Sequence, residues 1–370
     1  MAEKRFVETG KASFFGEYLY DQVVPANHFL RKLQEGMDWR HFTGKLIKLY
    51  KGEGMVGRPP FDPALVLKME LIAYLYNLSE RQVEVYVNEN LPAKFFVGLA
   101  VDQKAPDHST LTVFRERLLE RGKLRVFEEI LADMVQIALR QGVQFGSIQI
   151  VDSVHSIANV NTHKDDGRKK KGKEPRDPDA RWGAKHKHKV KTADGKEEQQ
   201  TEYFYGYKTH VSLNAENGLI TSLEVTSGEV YDGHHFCGLV DHDLEQKLPV
   251  EIYAADKGYD DGNNHYYLDQ RGLYSAISLI RTRTSKKDHS KRIWLDMLET
   301  PQYQQGHSER YKIERKFGEG KQGHGLGRCR YLCRLDFAVQ AFLTAIMLNL
   351  KRMVKLLYGI NFKARAYANE

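Results

Sequence analysis

Cysteine is scarce in this chain. Only Cys237, Cys329 and Cys333 occur among 370 residues, too few and odd in number for a disulfide framework. That excludes a small disulfide-stapled class and points to a reducing compartment. Long apolar runs are missing too: no uncharged stretch reaches the length of a bilayer span. The opening residues, Met-Ala-Glu-Lys-Arg-Phe-Val-Glu, lack the apolar core of a secretion signal. A soluble, cytoplasmic chain is the expectation. Acidic surplus is absent as well. The formal charge is +7 and the pI about 9.0, which favours a polyanionic partner such as nucleic acid.

What is present is globular. The apolar fraction is 41%, with 17 Phe and 20 Tyr, and the length allows two or three domains. Residues 1–60 form an N-terminal region mixing aromatic and basic side chains. Helical spacing runs from Glu17 to Leu33, interrupted by Pro25, and Gly52 to Pro60 reads as a loop. Asp62-Pro63 then starts a helix, with Asp as N-cap and Pro at the first turn. Ser79-Glu-Arg-Gln82 is a capping box. Pro92 and Asp107-His-Ser-Thr110 open further segments, and an amphipathic helix from about Leu124 to Arg140 stops at Gly142. Residues 61–143 are thus expected to form an all-helical DNA-binding domain. A helix–turn–helix over 65–90 would turn Arg81, Gln82, Glu84 and Asn88 toward DNA, against a plain bundle as the alternative.

After Gly146 the period changes. Ile148-Gln-Ile-Val-Asp152 is a short β-branched strand ending in a carboxylate. Glu251-Ile-Tyr-Ala-Ala-Asp256 repeats that shape. Between them, Glu202–Leu213 and Leu219–Thr226 flank the hairpin signal Asn217-Gly218. Asp232 to Leu248 and Tyr259 to Gln270 read as helical connections, and Tyr274–Leu279 as a fifth strand. The two Asp-tipped strands can lie parallel after a crossover, with both acids at the same end, where parallel sheets build sites. The insert 161–200 holds 13 Lys/Arg against 8 Asp/Glu and reads as a mobile loop. Its Lys185 and Lys187 are candidates for backbone phosphates and Trp182 for base stacking; a solvated loop without a partner is the alternative.

A third acid follows from helical geometry. At roughly 100° per residue, His307, Arg310, Glu314 and Lys321 fall within an arc of about 60°. One face then offers an imidazole, a guanidinium, a carboxylate and an ammonium. Gly318 and Gly320 weaken that helix. Zinc is disfavoured, because His155, His186, His188, His324, Cys329 and Cys333 have no standard paired spacing. Asp232 can line the site or cap a helix. Asp260 and Asp261 are rivals of Asp256 better explained by capping. Leu335 to Tyr358 is a long apolar helix expected to pack on the sheet.

Together these motifs resemble the bacterial insertion-sequence transposases of the Asp-Asp-Glu (DDE) type. The helical block from Gly57-Arg-Pro-Pro-Phe-Asp62 to Asp107-His-Ser-Thr-Leu-Thr-Val-Phe-Arg115 is similar to the family's N-terminal domain. Ile-Val-Asp152-Ser is similar to its first catalytic motif, Tyr205-Gly-Tyr-Lys208-Thr-His210-Val to its second strand, and Asp256-Lys-Gly-Tyr to its second catalytic motif. Arg310, Glu314 and Lys321 fit the family's third signature, with His307 where the family has Tyr. The resemblance implies an α/β catalytic core over 144–340, a ribonuclease-H-like mixed five-stranded sheet with helices, preceded by the all-helical domain and followed by a C-terminal helix and tail, 341–370. It implies Asp152, Asp256 and Glu314 as catalytic metal ligands for two Mg²⁺, with Mn²⁺ as substitute. DNA contacts would come from Arg310, Lys321, His307, Lys208, His210, Trp182, Lys185, Lys187 and Arg81. The implied reaction is cleavage of the element's ends and their joining to target DNA by a homodimer in a synaptic complex, in the cytoplasm and on the nucleoid. The alternatives are a metal nuclease without strand transfer and a catalytically idle DNA-binding regulator.

Overall fold

The computed structural model describes residues 6, 7, 9, 14–50, 59–122, 124–191, 197–280 and 296–362. The expected loop at 52–60 lies mostly outside the described residues, as do the side chain of Lys187 and the last eight residues. Two compact units form: Met1–Val143 with Leu343–Glu370, and Gln144–Phe342.

The first unit is helical. Helices α1 (Phe14–Val23), α2 (Phe29–Glu35) and α3 (Trp39–Leu46) precede α4 (Pro63–Leu75), α5 (Glu80–Glu89), α6 (Leu91–Val97), α7 (His108–Gly122) and α8 (Arg125–Arg140). Described residues 14–50 pack with the helices that follow: Phe29, Leu30, Trp39, Phe42 and Leu46 are buried, and Trp39 packs edge-on against Phe96 at 5.5 Å. The centre is α4, whose every residue is buried, Lys68 and Glu70 included. Asp62 Oδ1 accepts from Ala64 N at 2.8 Å, the cap the Asp-Pro pair foretells. The Ser79–Gln82 capping box forms.

The same contacts correct the DNA-facing assignment. Gln82 is committed to the capping box, and Glu84 Oε2 accepts from His108 N at 2.9 Å. Asn88 Oδ1 accepts from Ala105 N at 2.9 Å. These side chains hold turns of the unit. Arg81 remains exposed.

The second unit is a six-stranded sheet rather than a five-stranded one. Its strands are β1 (Ile148–Ile157), β2 (Arg181–Lys191), β3 (Glu197–Asn214), β4 (Ile220–Ser227), β5 (Ile252–Ala255) and β6 (Tyr274–Ile277), in the order β2-β3-β1-β5-β6 with β4 also on β3. β1 is antiparallel to β3 and parallel to β5, and β5 is parallel to β6. Long β3 has β1 along one edge; β2 and then β4 share the other.

The extra strand comes from the basic insert, which is not a loop. It forms helix α9 (Thr162–Lys169) and β2. Two of its acids go inside: Asp177 Oδ1 accepts from Tyr207 Oη at 2.5 Å and from Ala180 N at 3.2 Å, and Asp165 accepts from Arg176 N. Sheet pairing satisfies the backbone whatever the side-chain charge, so a lysine-rich segment can be a strand when its partner is already in place.

Helices α10 (Phe236–Glu245), α11 (Gly262–Asp269), α12 (Pro301–Glu309), α13 (Tyr311–His324) and α14 (Arg334–Tyr358) complete the chain. Helix α14 crosses the expected boundary at 341. Its first residues belong to the sheet unit, where Phe337 stacks on Tyr207 at 5.1 Å, and from Leu343 it belongs to the helical unit. It is long and apolar enough to cross a bilayer, yet 89% of its most apolar window is buried inside the protein. Cys333 precedes it with φ +66, so neither cysteine opens the helix.

Candidate active site

The parallel ladder builds the site. β1 and β5 pair from Ile148↔Ile252 to Val151↔Ala255. The next residue on each strand is Asp152 and Asp256, in the same register. Parallel neighbours lie about 4.8 Å apart, so the two carboxylates stand side by side past the end of the ladder. Alternation along the strands gives both the face of Ile150 and Ala254.

Each carboxylate is held at one oxygen. Asp152 Oδ1 accepts from Ser153 N at 2.8 Å, and Asp256 Oδ1 from Gly258 N at 2.7 Å as it caps the short turn Lys257–Tyr259. Among the described contacts neither Oδ2 accepts a hydrogen bond. Burial and then the neighbouring Asp256 raise the Asp152 carboxyl to about 7, with Asp232 adding to the rise; the Ser153 N–H and Arg310 oppose it.

Arg310 reaches this pair because α12 lies close on the sheet. A Cβ on Gly306 would meet Ala276 Cβ at 2.6 Å and Ile252 Cγ2 at 3.0 Å, so only glycine allows that approach. The cationic face is thus not on one helix. Two helices meet at Arg310, whose φ −55 and ψ −33 keep it helical. Gly318 and Gly320 stay inside α13, and Gly320 is buried there.

Glu314 lies one helical turn beyond Arg310. It is exposed and, among the described residues, has no hydrogen bond or ion pair. The two aspartates and Glu314 do not converge within 4.8 Å as three ligand atoms in this structure. His307 Nδ1 sits 3.4 Å from Ser278 Oγ, just past β6, and its ring stacks on Tyr303 at 5.7 Å.

Lys321 falls further out. Burial and then Lys185 lower its ammonium, and both lysines depress the half-buried His155, pushed down to about 4 mainly by burial. These groups form a basic cluster around His155, three residues after Asp152 on β1. Trp182 on β2 is 54% exposed, and Lys185 Nζ binds Glu202 at 2.6 Å.

Two of the expected DNA contacts need correction. His210 is fully buried: its Nε2 meets Thr226 Oγ1 at 2.9 Å and its ring stacks on His235 at 4.8 Å. Lys208 Nζ is engaged inside, donating to Asp232 Oδ1 at 2.8 Å and Val230 O at 2.9 Å. Inward-facing positions of β3 point at α10, and a lysine or histidine there serves the fold.

Asp232 does not cap a helix; Tyr231 holds that position without a side-chain bond. Asp232 Oδ2 accepts instead from Ser153 Oγ at 3.0 Å. No spacing in the sequence marks this, because the contact depends on a cross-sheet approach. Asp261 caps α11, accepting from Asn263 N at 2.9 Å, and Asp260 is buried against His265 at 3.1 Å. Tyr259 is fully buried. Burial, then Asp152, Asp232 and Asp256, raise its hydroxyl well above the ordinary value.

The donor set fits a divalent cation: two adjacent carboxylates, each with an oxygen to spare, one of them under a repulsion that a cation would relieve. The sign for stability follows. Asp152 is raised from 3.8 to about 7, so between those values the native state binds one proton more than the unfolded chain. Its contribution therefore falls as pH rises through that window. Melting in metal-free buffer should show this as the difference between wild type and Asp152→Asn, whose melting temperature loses that part of the decline; an identical pH slope in both proteins would contradict it.

Two acids side by side on neighbouring parallel strands make a candidate centre for metal-assisted chemistry. Residues 18–117 match the model of a transposase domain (DUF772), and residues 145–350, more than half the chain, match that of the transposase DDE domain. The chain belongs to the DDE transposase family, and its sheet unit is the ribonuclease-H-like core of that family. Among solved structures it is similar to a Mos1 transposase paired-end complex with left transposon end, at 13% identity, covering 80% of this chain and 86% of that chain with a TM-score of 0.20. It is also similar to a Mos1 mariner paired end complex with Mn, at 13% identity, covering 93% and 90% with a TM-score of 0.19. Superpositions at those scores establish no shared geometry.

Proposed function

We propose that this chain binds the terminal repeats of its own insertion sequence, cleaves the ends by phosphodiester hydrolysis and joins them to target DNA by transesterification. The observation that supports it is the Asp152–Asp256 pair, aligned by the β1/β5 register, with Arg310 near enough to lower the Asp152 carboxyl.

Asp152 and Asp256 would hold Mg²⁺, or Mn²⁺ in its place, with Glu314 brought in as the third acid when DNA and two ions are bound. Bound ions supply activation of the attacking hydroxyl and neutralisation of the leaving oxygen. The chain's own residues do the rest. Arg310 binds a non-bridging oxygen of the scissile phosphate, a planar donor that suits phosphate geometry. His307, held at the end of β6, lies one turn before it. Lys321 and Lys185 bind phosphates further along the strand, and Trp182 extends that surface; Lys187, whose side chain lies outside the described residues, stays a candidate phosphate contact by its residue type alone. Arg81 contacts DNA from the helical unit. Two chains would pair two ends in a synaptic homodimer.

The test is a plasmid carrying the DNA that flanks the gene, incubated with the full chain and Mg²⁺. Released ends joined to a second plasmid are expected. Released ends that never join would leave a nuclease; bound but uncut ends would leave a regulator.

Arg310→Ala should weaken end binding and reduce the slope of log affinity against log salt by about 0.9, the value of one phosphate contact. Filter binding from low to moderate salt measures this. An unchanged slope would remove Arg310 from the DNA surface.

A further inference from the structure

One acid in the site has no role in that mechanism. Asp232 follows β4 and enters the site from the face opposite Asp152. Both of its oxygens are engaged: Oδ1 by Lys208 Nζ at 2.8 Å and Oδ2 by Ser153 Oγ at 3.0 Å. Lys208 is itself fixed by Val230 O at 2.9 Å. Ser153 is the link, because its N–H donates to Asp152 Oδ1 at 2.8 Å while its hydroxyl donates to Asp232.

We propose that Asp232 is a positioning residue of the cation site: through Ser153 it sets the orientation of Asp152. The chain Lys208–Asp232–Ser153–Asp152 ties strand β3 and the turn after β4 to the middle of β1, where its ladder with β5 ends. A carboxylate whose two oxygens both accept hydrogen bonds is placed to orient a ligand rather than to be one. This inference rests on Asp152 being a cation ligand.

The test measures Mn²⁺ binding to the full chain without DNA, by the loss of the free-ion paramagnetic resonance signal, together with melting in metal-free buffer. Partners that orient a metal ligand typically change metal affinity 10–100-fold when removed. Asp232→Ala and Ser153→Ala should each weaken Mn²⁺ binding by about ten-fold or more, and Ser153→Thr, which keeps the hydroxyl, should restore it. Ser153→Ala removes one oxygen atom and carries the test if Asp232→Ala does not fold. A purely structural role would lower the melting temperature and leave the affinity of the folded variant unchanged. Wild-type Mn²⁺ affinity in folded Ser153→Ala overturns the inference, provided Asp152→Asn has lost binding. If Asp152→Asn binds Mn²⁺ as wild type does, the active-site reading fails as well.

Discussion

Asp152→Asn is expected to abolish cleavage of the element's ends, a loss of about a thousand-fold or more in Mg²⁺. A bound cation supplies several kcal/mol of transition-state stabilisation, and each 1.36 kcal/mol is a factor of about ten in rate. The substitution keeps size and shape and removes one of the two adjacent charges. It also relieves the repulsion from Asp256 in the metal-free protein, so the variant should fold and melt no lower than wild type. End binding without metal should persist. Gel assays of nicked ends measure the rate and calorimetry the melting. Cleavage within ten-fold of wild type would end the assignment of Asp152. Asp256→Asn is expected to behave alike, since its carboxylate occupies the equivalent place in the register.

Gly206→Ala should cause the largest loss of stability, roughly 3 kcal/mol or more, above the usual range for overpacking. A Cβ there would lie 2.0 Å from Ser156 O and 2.8 Å from Ala158 N. Both atoms are backbone, so no side-chain rotation relieves the overlap. β1 or β3 would have to shift, and with it the part of β1 that carries Asp152. Thermal melting should fall by roughly 6–12 °C for a unit of this size. A shift below about 2 °C would show that the strands separate there more easily than their pairing implies. Cleavage should fall with the fold.

Much of the site was legible before any coordinates. A short apolar run that stops at an acid describes a buried strand with a carboxylate at its end; Asp256 directly follows β5, whereas β1 continues past Asp152 to Ile157, so Asp152 stands mid-strand where its ladder with β5 ends. The caps at Asp62 and Ser79 were legible because an N-cap is a contact between residues two or three apart. The basic insert was not. Its charge reports how its side chains are solvated, whereas strand β2 is determined by the free edge of β3. His210 and Lys208 looked like DNA ligands for the same reason. Their residue types were visible, but not the inward direction that β3 imposes. Asp232 joined the site only through Ser153 and Lys208, neither of them near it in the chain.

The sequence by itself determined the helical first unit, the change to a sheet after Gly146, and an acid directly after each of two apolar runs, because periods, caps and turns are local properties of the chain. Tertiary structure alone decided that those acids are neighbours, that Arg310 lies near enough to lower the Asp152 carboxyl, and that Glu314 does not join them as a third ligand within 4.8 Å. Those facts depend on the parallel register of β1 and β5 and on how closely Gly306 lets a helix approach them.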